Sequence, residues 1–225
     1  MGVCISNENV RSPACVAPEV KFKDYTLTPS LLGQGQYGKV YEAKSSSKMP
    51  VALKIFGKKH GAEPSPDFTN EVDFLSALDH PHIVKFVDFF ETKDRSVLVT
   101  ELLDGADLHE TLAAREVPFD EYETAHVLQQ LLKALTYLHG RMIMHRDVKA
   151  ENIMISSQNK VTLIDFGLAT STISLDRRIC GSPNYLPPEI GSEGYDEKVD
   201  VFAAGICAFL MLTKEFPFPK LDHNG

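Results

Sequence analysis

The run Gly33-Gln34-Gly35-Gln36-Tyr37-Gly38-Lys39-Val40 decides how the first hundred residues fold. Apolar and β-branched stretches flank it, Leu27 to Gly33 before and Lys39 to Ala43 after, so its three glycines lie between two strands. A dinucleotide-binding turn or a Walker loop would instead pass from a strand into a helix. Glycine lets backbone N–H groups approach an anion without a Cβ clash, so Gly33, Gly35 and Gly38 are candidate phosphate contacts. Taken alone, a plain glycine-rich hairpin reads the run equally well.

Outward from this loop, Val51 to Phe56 reads as a third strand and carries Lys54 among apolar neighbours. A buried ammonium needs a partner. Phe68, Val72, Leu75 and Leu78 recur at helical steps, and Glu71 lies beside that stripe as the natural counter-ion, a solvated Lys and Glu being the blander alternative. Ile83 to Phe90 and Val97 to Glu101 complete the strands, and Asp104-Gly105-Ala106-Asp107 breaks the pattern between two lobes. Beyond it the chain turns helical. Asp120 and Glu123 form a capping-box-like pair ahead of Ala125, Leu128, Leu131, Leu132, Leu135 and Leu138, and Gly140 stops that helix. Short strands at Ile153–Ile155 and Val161–Ile164 flank a Gln158-Asn159 turn, and the apolar run Val201 to Leu212 reads as a core helix buried on every side.

Two polar runs carry chemistry: His145-Arg146-Asp147-Val148-Lys149-Ala150-Glu151-Asn152, and Asp165-Phe166-Gly167 at the end of a strand. In combination with the glycine loop and Lys54 they describe a phosphoryl-transfer site. Asp147 would accept a hydroxyl proton, Lys149 would stabilise charge on the γ-phosphate, and Asn152 and Asp165 would offer hard oxygens to Mg²⁺.

The composition restricts the alternatives. With 225 residues, 43% hydrophobic and 24% charged, the chain has the makeup of a globular protein, and its net charge of −8 argues against nucleic-acid binding. Cys4, Cys15, Cys180 and Cys207 are scattered without metal spacing, which fits a cytoplasmic chain with reduced thiols. Residues 1–24 read as a flexible tail. Its start, Met1-Gly2-Val3-Cys4-Ile5-Ser6, matches the N-myristoylation pattern, and Cys4 beside it could take a palmitoyl group, so association with a membrane through Gly2 and Cys4 is an expectation beside an unmodified tail.

These runs together resemble the eukaryotic protein kinase family over about Tyr25 to Phe218, nearly all of the chain except the tail. Lys149 in the loop resembles the serine/threonine class, and Cys180-Gly181-Ser182-Pro183-Asn184-Tyr185-Leu186-Pro187-Pro188-Glu189 is most similar to the calcium/calmodulin-dependent group, including calcium-dependent and AMP-activated kinases. The resemblance implies an α+β, two-lobed fold spanning 25–225: a small antiparallel sheet with one helix in 25–103, then a hinge and a mainly helical lobe in 104–225. It implies ATP and Mg²⁺ as cofactors and proteins with Ser/Thr acceptors as substrates. It places Thr100 at the gatekeeper position, Glu101 to Leu103 at the adenine-binding hinge and Asp107 at the ribose, with Leu32, Val40, Ala52 and Met154 around the adenine. It stacks Leu75, Phe86, His145 and Phe166 as a spine anchored by Asp200. A catalytically weak, truncated scaffold is the competing reading, but Lys54, Asp147 and Asp165 are all present.

The chain departs from the family pattern in three places. Pro187 replaces an alanine. Arg178 stands where a phosphorylated threonine commonly pairs with the loop arginine, leaving Arg146 to Asp176 or to a phosphate on Thr170, Ser171, Thr172 or Ser174. Related domains also continue beyond Gly225 with further helices. The expectation is therefore a lobe lacking its last helices, a bare face on the Val201–Leu212 helix, a buried Glu189 without its arginine, and poor stability.

Overall fold

The computed structural model describes residues 21–35, 38–58, 62–173, 179–191 and 195–218. Gly2 and Cys4, with the acylation pattern around them, lie outside the described residues, as do Ser174, Asp176 and Arg178. Strand β1, Lys21–Phe22, falls within the stretch read as a tail, so regular structure starts before Tyr25. It pairs with β2, Tyr25–Gly35, which forms a hairpin with β3, Gly38–Ser45; β4 follows at Pro50–Gly57. Helix α1, Pro66–Ser76, starts where Ser65 Oγ accepts the Phe68 N–H at 3.2 Å and Pro66 presets the first turn. Strands β5, Phe86–Glu91, and β6, Arg95–Glu101, close an antiparallel sheet ordered β1-β2-β3-β4-β6-β5.

The sequence breaks at Asp104-Gly105 as expected, but Ala106–Asp107 forms a short strand, β7, leading directly into helix α2, Leu108–Ala114. Asp107 is the cap of that helix, its carboxylate accepting the Glu110 N–H at 2.7 Å. Helix α3, Glu121–His139, carries the full capping box of Asp120 and Glu123 and ends at Gly140. Its buried face is Thr124, Val127, Gln130, Leu131, Ala134, Leu135 and Leu138. This corrects part of the expected stripe: Ala125 and Leu132 are exposed. Gln130 bonds the Asn159 carbonyl at 2.9 Å and the Val161 N–H at 3.0 Å, fastening α3 to the Asn159 turn.

After α3 come β8 at Ile143–Met144, β9 at Ile153–Ile155, β10 at Val161–Leu163 and β11 at Thr170–Ser171. Strand β9 pairs with both β10 and β7, and β11 with β8. Helix α4, Lys198–Thr213, buries Val199, Asp200, Ala203, Ala204, Ile206, Cys207, Leu210 and Met211. It is not buried all round. Val201, Phe209 and Leu212 are 48, 41 and 41% exposed, which matches the expected bare face and corrects the all-round burial first read from the apolar run. Glu189 departs from expectation in the other direction. It is exposed and does not lack an interaction partner, so no lone buried carboxylate arises there.

One core runs from α1 through α3 to α4, including Leu75, Leu135, Phe166 and Met211; a second lies within the large sheet around Tyr25, Leu53 and Val99. The two faces of α4 should respond differently to truncation. Met211→Ala should cost about 2–5 kcal/mol, and Val201→Ala about 0.5 kcal/mol or less. Urea melts of both variants beside the unmodified chain check this, and equal losses would contradict the assigned faces.

Candidate active site

Lys54 stands at the centre of the site. Its place on β4, paired with Leu98 on β6 and Val40 on β3, carries the side chain into a cavity of about 310 Å³. Its Nζ donates to Glu71 Oε1 and Oε2 at 3.0 and 2.8 Å, and to Asp165 Oδ1 at 2.8 Å. Three residues far apart in the chain thus meet at one ammonium. Helix α1 supplies Glu71, and the turn after β10 supplies Asp165 with a left-handed φ of +63°. Asn70, beside Glu71, reaches past it and donates to the Gly167 and Ala169 carbonyls at 3.1 and 2.8 Å, holding α1 to that turn. Nothing in the sequence marks Asn70, because a lone helical asparagine carries no pattern.

The charges compete. Burial pushes the Glu71 carboxyl up to about 7 despite the Lys54 ammonium, and the Asp165 charge adds to the rise. Burial works against the Asp165 carboxylate as well, but Lys54 and the Gly167 N–H hold its pKa below the usual range. Burial would lower Lys54, and the two carboxylates more than reverse this, so the ammonium stays protonated. One cation is shared by two acids, with Glu71 raised and Asp165 lowered.

The cavity takes in every residue expected around an adenine: Leu32, Val40, Ala52, Thr100, Glu101, Leu103 and Met154, with Gly33 and Asp107. Leu102, within the expected hinge, lines it too, as do Gly105, Val84, Leu98, Ile164 and Glu110, which the sequence did not single out. Gly33 is open around its Cα, leaving space for an approaching group. Gly38 differs: a Cβ there would lie 2.3 Å from the Ile55 carbonyl oxygen, so the packing of β3 on β4 itself requires glycine. Gly35 belongs to β2, and Gln36 and Tyr37 lie outside the described residues.

An adjoining cleft of about 730 Å³ joins Lys54 and Asp165 to Asp147, Lys149, Asn152 and Ser182. Asp147 Oδ2 accepts Lys149 Nζ at 2.7 Å and Asn152 Nδ2 at 3.0 Å, and Oδ1 accepts the Ser182 hydroxyl at 3.0 Å. The loop is suspended from α4. Asp200, 1% exposed, accepts the backbone N–H groups of His145 and Arg146 at 2.9 and 2.8 Å and bonds His139 Nε2 at 2.9 Å. The His145 and Phe166 rings meet edge to face at 4.8 Å; Leu75 is buried in the same core and Phe86 packs against it. Arg146 donates to the Leu168 carbonyl at 2.8 Å and to the Tyr195 hydroxyl at 3.1 Å. Tyr195 was not foreseen as a partner.

Among the described residues no three His, Cys, Asp or Glu side chains gather as a metal cluster. The donors present suit a different pattern. Both hydrogen bonds of the Asn152 amide nitrogen go to Asp147, at 2.8 and 3.0 Å, which leaves its oxygen for a cation. Lys54 and the Gly167 N–H both use Asp165 Oδ1, leaving Oδ2. One carboxylate and one amide oxygen fit Mg²⁺, which completes its shell with phosphate oxygens and water.

Residues 27–225 match the family described as the protein kinase domain. The chain is 35% identical over 200 residues to Aurora kinase B of Xenopus tropicalis, covering 86% of this chain and 55% of that protein. It is 33% identical over 208 residues to calcium-dependent protein kinase 3 of Plasmodium yoelii yoelii, covering 89% and 38%. It is 36% identical over 196 residues to the serine/threonine-protein kinase PLK4 of Drosophila virilis, covering 84% and 25%. The chain therefore spans about half or less of the length of these three relatives, and similarity is nearly level among them.

The raised Glu71 carboxyl has a signature in pH. A carboxyl whose native pKa lies above its unfolded value of 4.5 is protonated more readily in the folded chain. Its contribution to stability is present in full below 4.5 and is lost as pH rises through about 7. The melting temperature of the unmodified chain minus that of Glu71→Gln should therefore fall between pH 4.5 and 8. A constant or rising difference would contradict the assignment.

Proposed function

The chain belongs to the protein kinase family, and from that premise we propose that it transfers the γ-phosphoryl group of Mg-ATP to Ser or Thr hydroxyls of proteins. The observation that carries this reading is the meeting of Lys54 with Glu71 and Asp165 at the junction of an apolar cavity with the Asp147 cleft. Ala52, Val40, Leu32 and Met154 enclose the purine, and the backbone of Glu101 to Leu103 offers it hydrogen bonds beside Thr100. Glu71 steers the Lys54 ammonium toward the α- and β-phosphates. When bound, the metal neutralises charge on the β- and γ-phosphates. Asp165 and Asn152 would hold it through the two oxygens left free of hydrogen bonds.

Asp147 orients the acceptor hydroxyl and takes its proton. Lys149, 2.7 Å from Asp147, lies where charge develops on the transferred group. Asp107, Glu110 and Glu151 line the same cleft and give its rim a negative character. That rim favours peptide substrates carrying basic residues beside the acceptor.

Transfer of labelled γ-phosphate to a Ser/Thr peptide library tests the reading. Asp147→Asn should lower turnover by about 10²–10⁴-fold through loss of the base, and Lys54→Met by at least about 10²-fold. Labelling that survives both substitutions would refute it, as would no transfer by a folded, unmodified chain.

A further inference from the structure

Ser182 occupies an unusual position for a residue outside the polar runs that define the site. Its hydroxyl donates to Asp147 Oδ1 at 3.0 Å and accepts from Lys149 Nζ at 3.1 Å. The residue is half-buried and lines the cleft shared by Lys54, Asn152 and Asp165. The backbone fixes it there. Gly181 has φ +105°, and a Cβ at that position would lie 2.6 Å from the Arg146 carbonyl oxygen. Only glycine permits that approach, so the peptide before Ser182 lies directly against the loop bearing Asp147. Asp147, Lys149 and Ser182 thus form a closed ring of hydrogen bonds in which Ser182 alone has an esterifiable hydroxyl.

We propose that Ser182 is a phosphorylation site and that a phosphoryl group on its oxygen closes the active site. The inference rests on the kinase reading above. The donor is a nucleoside triphosphate: the Ser182 Oγ–H passes its proton to Asp147 Oδ1, which already accepts it, Oγ bonds the γ-phosphorus, the bond to the β–γ bridging oxygen breaks, and the nucleoside diphosphate leaves. Two consequences follow at fixed geometry. The oxygen loses the hydrogen it donates to Asp147, and a group of about −1.5 to −2 charge lies against that carboxylate. The Lys149 ammonium, already 3.1 Å from the ester oxygen, pairs with the new phosphate. The base is obstructed and the lysine withdrawn from the transferred group, while Lys54, Glu71 and Asp165 keep their contacts.

The test uses the full chain with phosphoserine encoded at position 182, compared with the unmodified chain before and after phosphatase treatment. Phosphate transfer to peptide should fall about a hundredfold or more, the scale of losing a general base. Phosphatase should restore it to the rate of the unmodified chain. Activity unchanged by the phosphate, or a loss that phosphatase does not reverse, would overturn the proposal. A second reading does not depend on activity: the ³¹P titration midpoint of phosphoserine 182 should rise when Lys149→Met removes the paired cation. An unchanged midpoint would overturn the proposed pairing even if the unmodified chain proved inactive, whereas inactivity alone would count against the kinase reading.

Discussion

An ammonium held between two acids in a half-dry cleft is the interaction on which the rest of the site depends. Lys54 bonds both Glu71 and Asp165 within 3.0 Å, and these three groups come from the sheet, the helix of the same lobe and the lobe beyond the hinge. Removing the lysine would leave buried Glu71 facing part-buried Asp165 with no cation between them, a costly arrangement. The cost explains why the cluster fixes geometry as well as charge. Helix α1 cannot rotate away without stranding Glu71, and Asn70 fastens the same helix to the segment after Asp165.

A second arrangement holds the catalytic loop from below. Asp200 lies in the first turn of an apolar helix, where an isolated carboxylate would be costly, and it is satisfied by two backbone N–H groups and His139. Arg146, in a left-handed conformation with φ +63°, connects that loop to Leu168 and Tyr195. The loop therefore takes its shape from residues up to 55 positions away in sequence, which allows Asp147, Lys149 and Asn152 to converge on one cleft.

Much of this was legible in the sequence because short runs with fixed internal spacing set the chemistry. The strands around the glycine loop, the capping box at Asp120 and Glu123, and the Lys54–Glu71 pair all follow from local pattern and the need to neutralise a buried charge. What escaped notice depends on tertiary contact. On α3, Gln130 is buried against the Asn159 carbonyl and Leu132 points out although it fits the apolar stripe. The glycine at position 38 serves the β3–β4 packing as well as any approaching anion. Asp107 caps a helix that the sequence did not reveal, and Asn70, His139 and Tyr195 stand alone in their segments.

A crystal structure of the chain with Mg²⁺ and a non-hydrolysable ATP analogue tests the central claim most directly. The account predicts the Lys54 ammonium against the phosphates, still paired with Glu71, and a metal about 2.1 Å from Asp165 Oδ2 and Asn152 Oδ1. A triphosphate bound away from Lys54, or a metal that touches neither oxygen, would contradict it.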